Sequence, residues 1–213
     1  MTRNILITGA SGGLGAAVVE AFQRQGDRVT GASHPDFDLT RPEEAARAVA
    51  AAGAPLDALV HLMGGFAGGD PVALTDDATW RRMMTLNLDA AFYACRAAIP
   101  SLLERAADQP GGRIILIGSR AAVAPAANLA AYNVSKAGVV ALARTLALEL
   151  APRATCNVVL PSVIDTPGNR AAMPQADPSR WVKPAAIASL IVYLASPAAG
   201  DINGAVLPVY GNA

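Results

Sequence analysis

Short apolar runs alternate with longer amphipathic stretches along this chain. Residues 4–8, 28–32, 56–62, 113–118, 155–160 and 205–209 read as buried strands. Residues 13–25, a segment opening at Pro42, residues 76–105, 130–150 and 184–196 carry helical patterns, with a break expected near Pro100. This order predicts an α/β fold: a doubly wound, mainly parallel sheet with helices on both faces. No linker-like stretch divides the chain, so residues 1–213 are expected to form a single domain. One connection is anomalous. Only five residues separate Ala32, at the end of the second strand, from Asp38. A parallel crossover needs about a dozen or more, so the sheet edge beyond the second strand should be shortened or missing.

Composition sharpens this picture. Apolar residues make up 53% of the chain and aromatics only 5%, so the core must be built from Ala, Val, Leu and Ile, as suits strands covered on both faces. Seventeen basic residues balance seventeen acidic ones, which argues against nucleic acid as a partner. No basic run, signal-peptide pattern or apolar stretch of spanning length points to a membrane. Cys95 and Cys156 lack motif spacing, which fits a reducing cytoplasm better than a disulfide scaffold. With only His34 and His61 as histidines, no metal site is expected.

The glycine-rich segment Thr8-Gly9-Ala10-Ser11-Gly12-Gly13-Leu14-Gly15 lies between the first strand and the first helix. Glycines there permit a tight turn and let a phosphate approach the free N–H groups and positive dipole end of a helix. The bland alternative is an ordinary glycine-rich turn. Beyond the second strand stand Ser33 and His34, with Asp36 and Asp38 following. An acid at that strand end would bind the ribose diol of NAD, and a cation the 2′-phosphate of NADP. Neither an acid nor an arginine is present there. The choice stays open, with the balance toward NADPH.

Tyr132 and Lys136 lie four apart at the start of the long helix and so share a face. An ammonium near a phenol would lower its pKa from about 10 and equip it as a general acid and base. Ser119 ends a central strand thirteen positions earlier, at the edge where open α/β sheets bind ligands. Asn87 sits in an apolar helical stretch, where a buried amide needs partners. It reads either as a kink that holds a water near Lys136 or as a structural tie between helix and strand.

Together these residues resemble the short-chain dehydrogenase/reductase family, in order and over nearly the whole chain. The glycine turn, the Asp38-Leu39 pair, Asn87, the Ser119–Tyr132–Lys136 set and the Pro161–Thr166 segment each match a family motif. The resemblance implies a Rossmann-type fold and an NAD(P)-dependent oxidoreductase. Its cofactor would contact Gly9, Ser11, Gly13, Leu14 and Gly15, then Ser33, His34, Asp38 and Leu39. Met63, Gly64, Gly65, Tyr132, Lys136, Pro161, Ile164 and Thr166 would complete the site. The family's Asn-Asn-Ala-Gly reads here as His61-Leu62-Met63-Gly64. That departure, the missing helix and the run 64–69 are similar to the compact dihydropteridine reductase branch. Ser119 and the lack of an acid after the second strand depart from that branch.

The resemblance implies hydride transfer to a small carbonyl or quinonoid imine, with Tyr132 supplying the proton. The alternatives are a dihydropteridine reductase proper and a non-catalytic NAD(P) sensor. The family also implies a homodimer or homotetramer built on the apolar helices 76–105 and 130–150. Residues 163–183, rich in Pro and Gly, should form a mostly irregular lid with at most short turns. Asn169, Arg170, Met173, Gln175 and Trp181 are its candidate pocket residues. Trp181 could cover the substrate or pack beneath the loop.

Overall fold

A computed structural model describes residues 2–104 and 111–212. Six strands form one parallel sheet in the order β2-β1-β3-β4-β5-β6. They are β1 (Asn4–Thr8), β2 (Arg28–Ala32), β3 (Ala58–His61), β4 (Gly112–Ile117), β5 (Ala154–Pro161) and β6 (Val206–Val209). Every residue of β3, β4 and β5 is buried, as expected of central strands covered on both sides. β2 is the sheet edge. From Ala32 the chain runs through 33–41 without a strand and enters helix α2 (Pro42–Ala52), with proline at its first turn. The shortened edge follows from chain length alone.

Alternation along the strands sends side chains to two cores. Ile5, Ile7, Ala58, Val60 and Ile115 face α1 (Gly15–Arg24) and α7 (Pro184–Leu194). Leu6, Leu59, Ile114, Leu116 and Val158 face α2, α4 (Ala90–Leu103) and α5 (Ala130–Leu150). Alanines at 91, 94, 98, 143 and 147 are buried on these last two helices, so backbones can approach the sheet closely.

Two departures bear on the site. The stretch expected as one helix over 76–105 is three pieces: α3 (Asp77–Met84), a π-helical turn at Thr85–Asp89, and α4. Pro100 lies inside α4 without ending it, and position 105 falls outside the described residues. The lid segment contains α6 (Pro167–Ala172), more than the short turns expected. Thr166 caps it, accepting from Asn169 N at 3.2 Å, and Pro167 fills its first position.

Candidate active site

The carboxyl ends of β1, β3, β4 and β5 converge on one edge of the sheet. After β1, Gly9 takes a positive φ of 69° and donates to Ala32 O at 2.8 Å, while Ser11 N donates to the Ser33 hydroxyl at 3.1 Å. A Cβ on Gly9 would lie 2.8 Å from Met63 N, and one on Gly13 would lie 2.8 Å from Thr166 Cβ. The loop is thus pressed between β3's exit and the segment after β5. Leu14 precedes α1 without capping it, and the first turn carries no acid. The helix end therefore offers N–H groups that no side chain satisfies, beside exposed Ser11, Gly12 and Gly13. These residues fit a pyrophosphate.

At the β2 end, Ser33 is half-buried and His34 exposed. Asp38 is committed to its own turn, accepting from Thr40 N (3.1 Å) and Thr40 Oγ1 (2.6 Å), which hold its carboxyl below the usual range. The Leu39 side chain is buried in the core, leaving its backbone for a ligand. A cation that the sequence reading missed stands nearby: Arg47 lies over the Phe37 ring at 4.4 Å and bonds Asp36 O.

At the opposite end, Tyr132 and Lys136 occupy the first turns of α5. The Ser119 hydroxyl hydrogen-bonds the Tyr132 side chain. Lys136 is 5% exposed, and its Nζ donates to Ile117 O at 3.2 Å. Burial brings that lysine's pKa down to about 8. The lowered phenol expected from the Tyr–Lys spacing is not found. Burial pushes the Tyr132 pKa up, with the Ser119 bond opposing it. Partial enclosure costs the phenolate its hydration, and the ammonium is turned to Ile117 O rather than to the phenol.

Asn87 sits in the π-helical turn, where Ala90 N–H reaches back five residues to Thr85 O. Its Oδ1 accepts from Gly65 N (2.9 Å), and its Nδ2 donates to Gly65 O (3.1 Å) and Ser135 Oγ (3.0 Å). Ser135 in turn donates to Tyr132 O at 2.9 Å. Asn87 therefore ties the chain leaving β3 to the helix carrying Tyr132. A Cβ on Gly64 would meet Asn87 Oδ1 at 2.7 Å and Lys136 Nζ at 3.0 Å, so glycine is required there. Gly69 N donates to Asn128 O at 2.8 Å. The strap 65–69 is thus fastened at both ends, and it lays Phe66 edge-on against the Tyr132 ring, 5.0 Å between centroids at 71°. The sequence reading missed both Phe66 and Ser135 as site residues. Only position after a strand and a small polar residue beside Lys136 could have signalled them.

Pro161 is buried at the end of β5. Ile164 pairs with Val182 across the base of the lid, and Asn169 Nδ2 donates to Ile164 O at 2.8 Å. Asp165 accepts from Arg170 (2.6 Å) and Lys183 (2.7 Å), which hold its carboxyl far below the usual range. Asn169 and Arg170 are thus occupied within the lid. Trp181 is 7% exposed, buried rather than open to solvent. Met173 is half-buried and Gln175 exposed.

Three comparisons bear on this arrangement. Residues 31–211 match the family model described as enoyl-(acyl carrier protein) reductase. The 3-oxoacyl-[acyl-carrier-protein] reductase MabA of Mycobacterium tuberculosis is 31% identical over 233 residues, covering 99% of this chain and 92% of that protein. Two solved structures superpose closely. A 3-ketoacyl-(acyl-carrier-protein) reductase from Brucella melitensis complexed with NADH has a TM-score of 0.86 at 27% identity, covering 98% of this chain and 97% of its own. A protein assigned as an NAD(P)-dependent gluconate 5-dehydrogenase from Beutenbergia cavernae, with bound NADP, has 0.87 at 30%, covering 98% and 95%. The match runs through both the sheet and the site at its carboxyl edge, and this chain belongs to the short-chain dehydrogenase/reductase family as an NAD(P)-dependent oxidoreductase.

Proposed function

We propose that the chain reduces a small carbonyl or quinonoid imine at the carboxyl edge of its sheet, with Tyr132 as the general acid. The observation that carries this reading is the Ser119–Tyr132 hydrogen bond beside buried Lys136. The bound nicotinamide cofactor supplies the hydride. Gly9, Ser11, Gly13, Leu14 and Gly15 hold its pyrophosphate. Met63, Gly64, Gly65, Pro161, Ile164 and Thr166 bound its nicotinamide half, and Lys136 holds the adjoining ribose. Ser119 positions the acceptor oxygen or nitrogen, and the Tyr132 hydroxyl donates a proton to it; in the reverse direction the phenolate takes the proton back. Asn87 holds the strap and the helix in register. Phe66 keeps water from one side of the phenol.

NADPH is the favoured cofactor. Asp38 is spent on Thr40, and the charge of Asp36, the acid left near Ser33 and His34, is opposed by Arg47 beside it. Residues 1–213 act as one domain in the cytoplasm. Phe92 on α4 and Val134 and Leu148 on α5 are 43%, 48% and 83% exposed, which supports pairing of these helices across a two-fold axis into a homodimer or a homotetramer.

The test is oxidation of NADPH and NADH against a carbonyl panel and quinonoid dihydropterin. Tyr132→Phe should bind cofactor normally and lose about 10²–10⁴-fold in turnover. Turnover within tenfold of wild type removes Tyr132 from the chemistry. Cofactor binding with no turnover on any acceptor would favour the non-catalytic sensor.

A further inference from the structure

His61 has no part in the mechanism above, yet it is among the most enclosed polar groups of the site, at 1% exposure. It ends β3 and faces the core covered by α4 and α5, the same side as Thr8 on β1. Its Nδ1 is 2.8 Å from Thr8 Oγ1 in a buried hydrogen bond. Its Nε2 is buried without a hydrogen-bond partner.

Ring connectivity says where that second nitrogen points. β3 lies between β1 and β4. With Nδ1 turned to Thr8 on β1, Nε2 occupies the far corner of the ring on the β4 side. Lys136 Nζ is anchored on that side, to Ile117 O of β4. The positive charge of Lys136 acts on the imidazole, which with burial keeps His61 neutral, its pKa down at about 3. A neutral imidazole has two tautomers. An Nε2–H would turn a buried, unsatisfied donor toward an ammonium. An Nδ1–H donating to Thr8 turns a lone pair there instead, which is the favourable arrangement. Tyr132 on the same helix, His61 from β3 and the uncharged Asn87 from the π-helical turn are the groups gathered at Lys136. Burial alone accounts for the lysine's lowered pKa among the described residues.

We propose that His61 is a positioning residue for Lys136: fixed by Thr8 through Nδ1, its imidazole presents a bare Nε2 to the ammonium and holds it charged and directed at the cofactor's ribose. The proposal rests on the reading of Lys136 as a ribose-binding group. It links the phosphate loop, whose first residue is Thr8, to the lysine through one ring.

Two variants separate the two nitrogens. His61→Asn keeps a donor where Nδ1 bonds Thr8 and removes the atom at Nε2. His61→Gln carries an acceptor out to the Nε2 position. The readout is nicotinamide fluorescence on titrating NADPH into the purified full chain from pH 6 to 10, with no acceptor present. Wild-type affinity should fall with a midpoint near the lysine's pKa of about 8. In His61→Asn the midpoint should move down by about one pH unit, with affinity at pH 6.5 held within about twofold, and His61→Gln should recover at least half of the shift. Thr8→Val, which keeps the imidazole but frees its tautomer, should shift the midpoint in the same direction by less. A merely structural histidine would lower affinity equally at every pH. An unmoved midpoint in His61→Asn and Thr8→Val, with wild type binding normally, overturns the proposal alone. Failure of wild type to bind either cofactor overturns the function assigned to Lys136 and this proposal with it.

Discussion

Replacing Asn87 by alanine tests whether the π-helical turn is held by one side chain. The amide is 1% exposed and makes three hydrogen bonds to nitrogen and oxygen, with Gly65 N, Gly65 O and Ser135 Oγ, beside a weak one from Nδ2 to Met83 Sδ at 3.8 Å. The partners differ in what they lose. Gly65 is half-buried rather than fully enclosed, so water can take up part of what its N–H and C=O lose once the amide is gone. Ser135 keeps its bond to Tyr132 O. The loss is therefore near the ordinary net value of about 1 kcal/mol per bond rather than the full penalty of buried orphans, giving about 3 kcal/mol. For a domain of this size that corresponds to a fall of roughly 6–12 °C in Tm. Urea unfolding followed by circular dichroism measures it, and turnover should drop further than stability, because the strap carrying Phe66 comes loose from the helix carrying Tyr132. Asn87→Asp keeps the acceptor for Gly65 N. It also places a carboxylate beside Lys136 Nζ, drawing the ammonium from Ile117 O, so it should lose activity at a smaller cost in stability. A loss below about 1 kcal/mol in the alanine variant, with turnover unchanged, would refute the reasoning.

Gly13→Val should abolish cofactor binding while leaving the far-UV spectrum intact, because a Cβ there already sits 2.8 Å from Thr166 Cβ; fluorescence titration checks it. Asp165→Asn should speed tryptic cleavage at Arg170 and Arg180, since it releases both Arg170 and Lys183 from the lid base. Because those partners depress the Asp165 pKa, its contribution is present above the unfolded carboxyl value of about 3.9 and is lost only as pH falls below it, so wild-type cleavage by acid-tolerant and neutral proteases should not change between pH 5 and 8. Lys136 has a folded pKa of about 8, below its unfolded value of about 10.4. The unfolded chain then holds more protons in that window, so stability from this group rises with pH from 8 to 10.4 while turnover falls; parallel melts and rates test the opposed signs. Lys136→Met should raise Tm at pH 7 and remove activity, and a variant no more stable than wild type would contradict it.

Much of the architecture is legible in the sequence because it follows from local periodicity and chain length. Strand positions agree to within two residues at either end, and the lost edge beyond β2 follows from the five residues between Ala32 and Asp38. The π-helical turn is not legible. Thr85–Asp89 continues the apolar run on either side, and one added residue per turn leaves no trace in a hydrophobic pattern. Pro100 misleads for the opposite reason: it lies in the last turn of α4, where losing one intrahelical bond does not outweigh the packing of Ala98 and Leu102 against the sheet. The lid helix was readable in Thr166-Pro167, a cap followed by a first-turn proline, but the surrounding Pro and Gly obscured it. The Phe66–Tyr132 and Thr8–His61 contacts join residues 66 and 53 positions apart. Nothing local to either residue encodes such pairings.

The electrostatics of Lys136 explain why the site is arranged around it. Moving its pKa from 10.5 to about 8 by burial costs the charged form about 3 kcal/mol at neutral pH. A methionine would fill the same volume without that penalty, so packing alone gives no reason for a lysine there. The groups that could offset the cost are weak: one backbone carbonyl at 3.2 Å and neutral side chains. No carboxylate is paired with it among the described residues, as a purely structural buried lysine would require. The enclosing residues, His61, Asn87 and Ser135, are polar and uncharged, and each is tied to a different element, β1, the strap after β3, and α5. An ammonium with one hydrogen bond among the described residues, to Ile117 O, keeps donors to spare. On the proposed function, that remaining capacity is what a ribose diol requires, which gives the destabilising lysine a place in the chemistry rather than in the core.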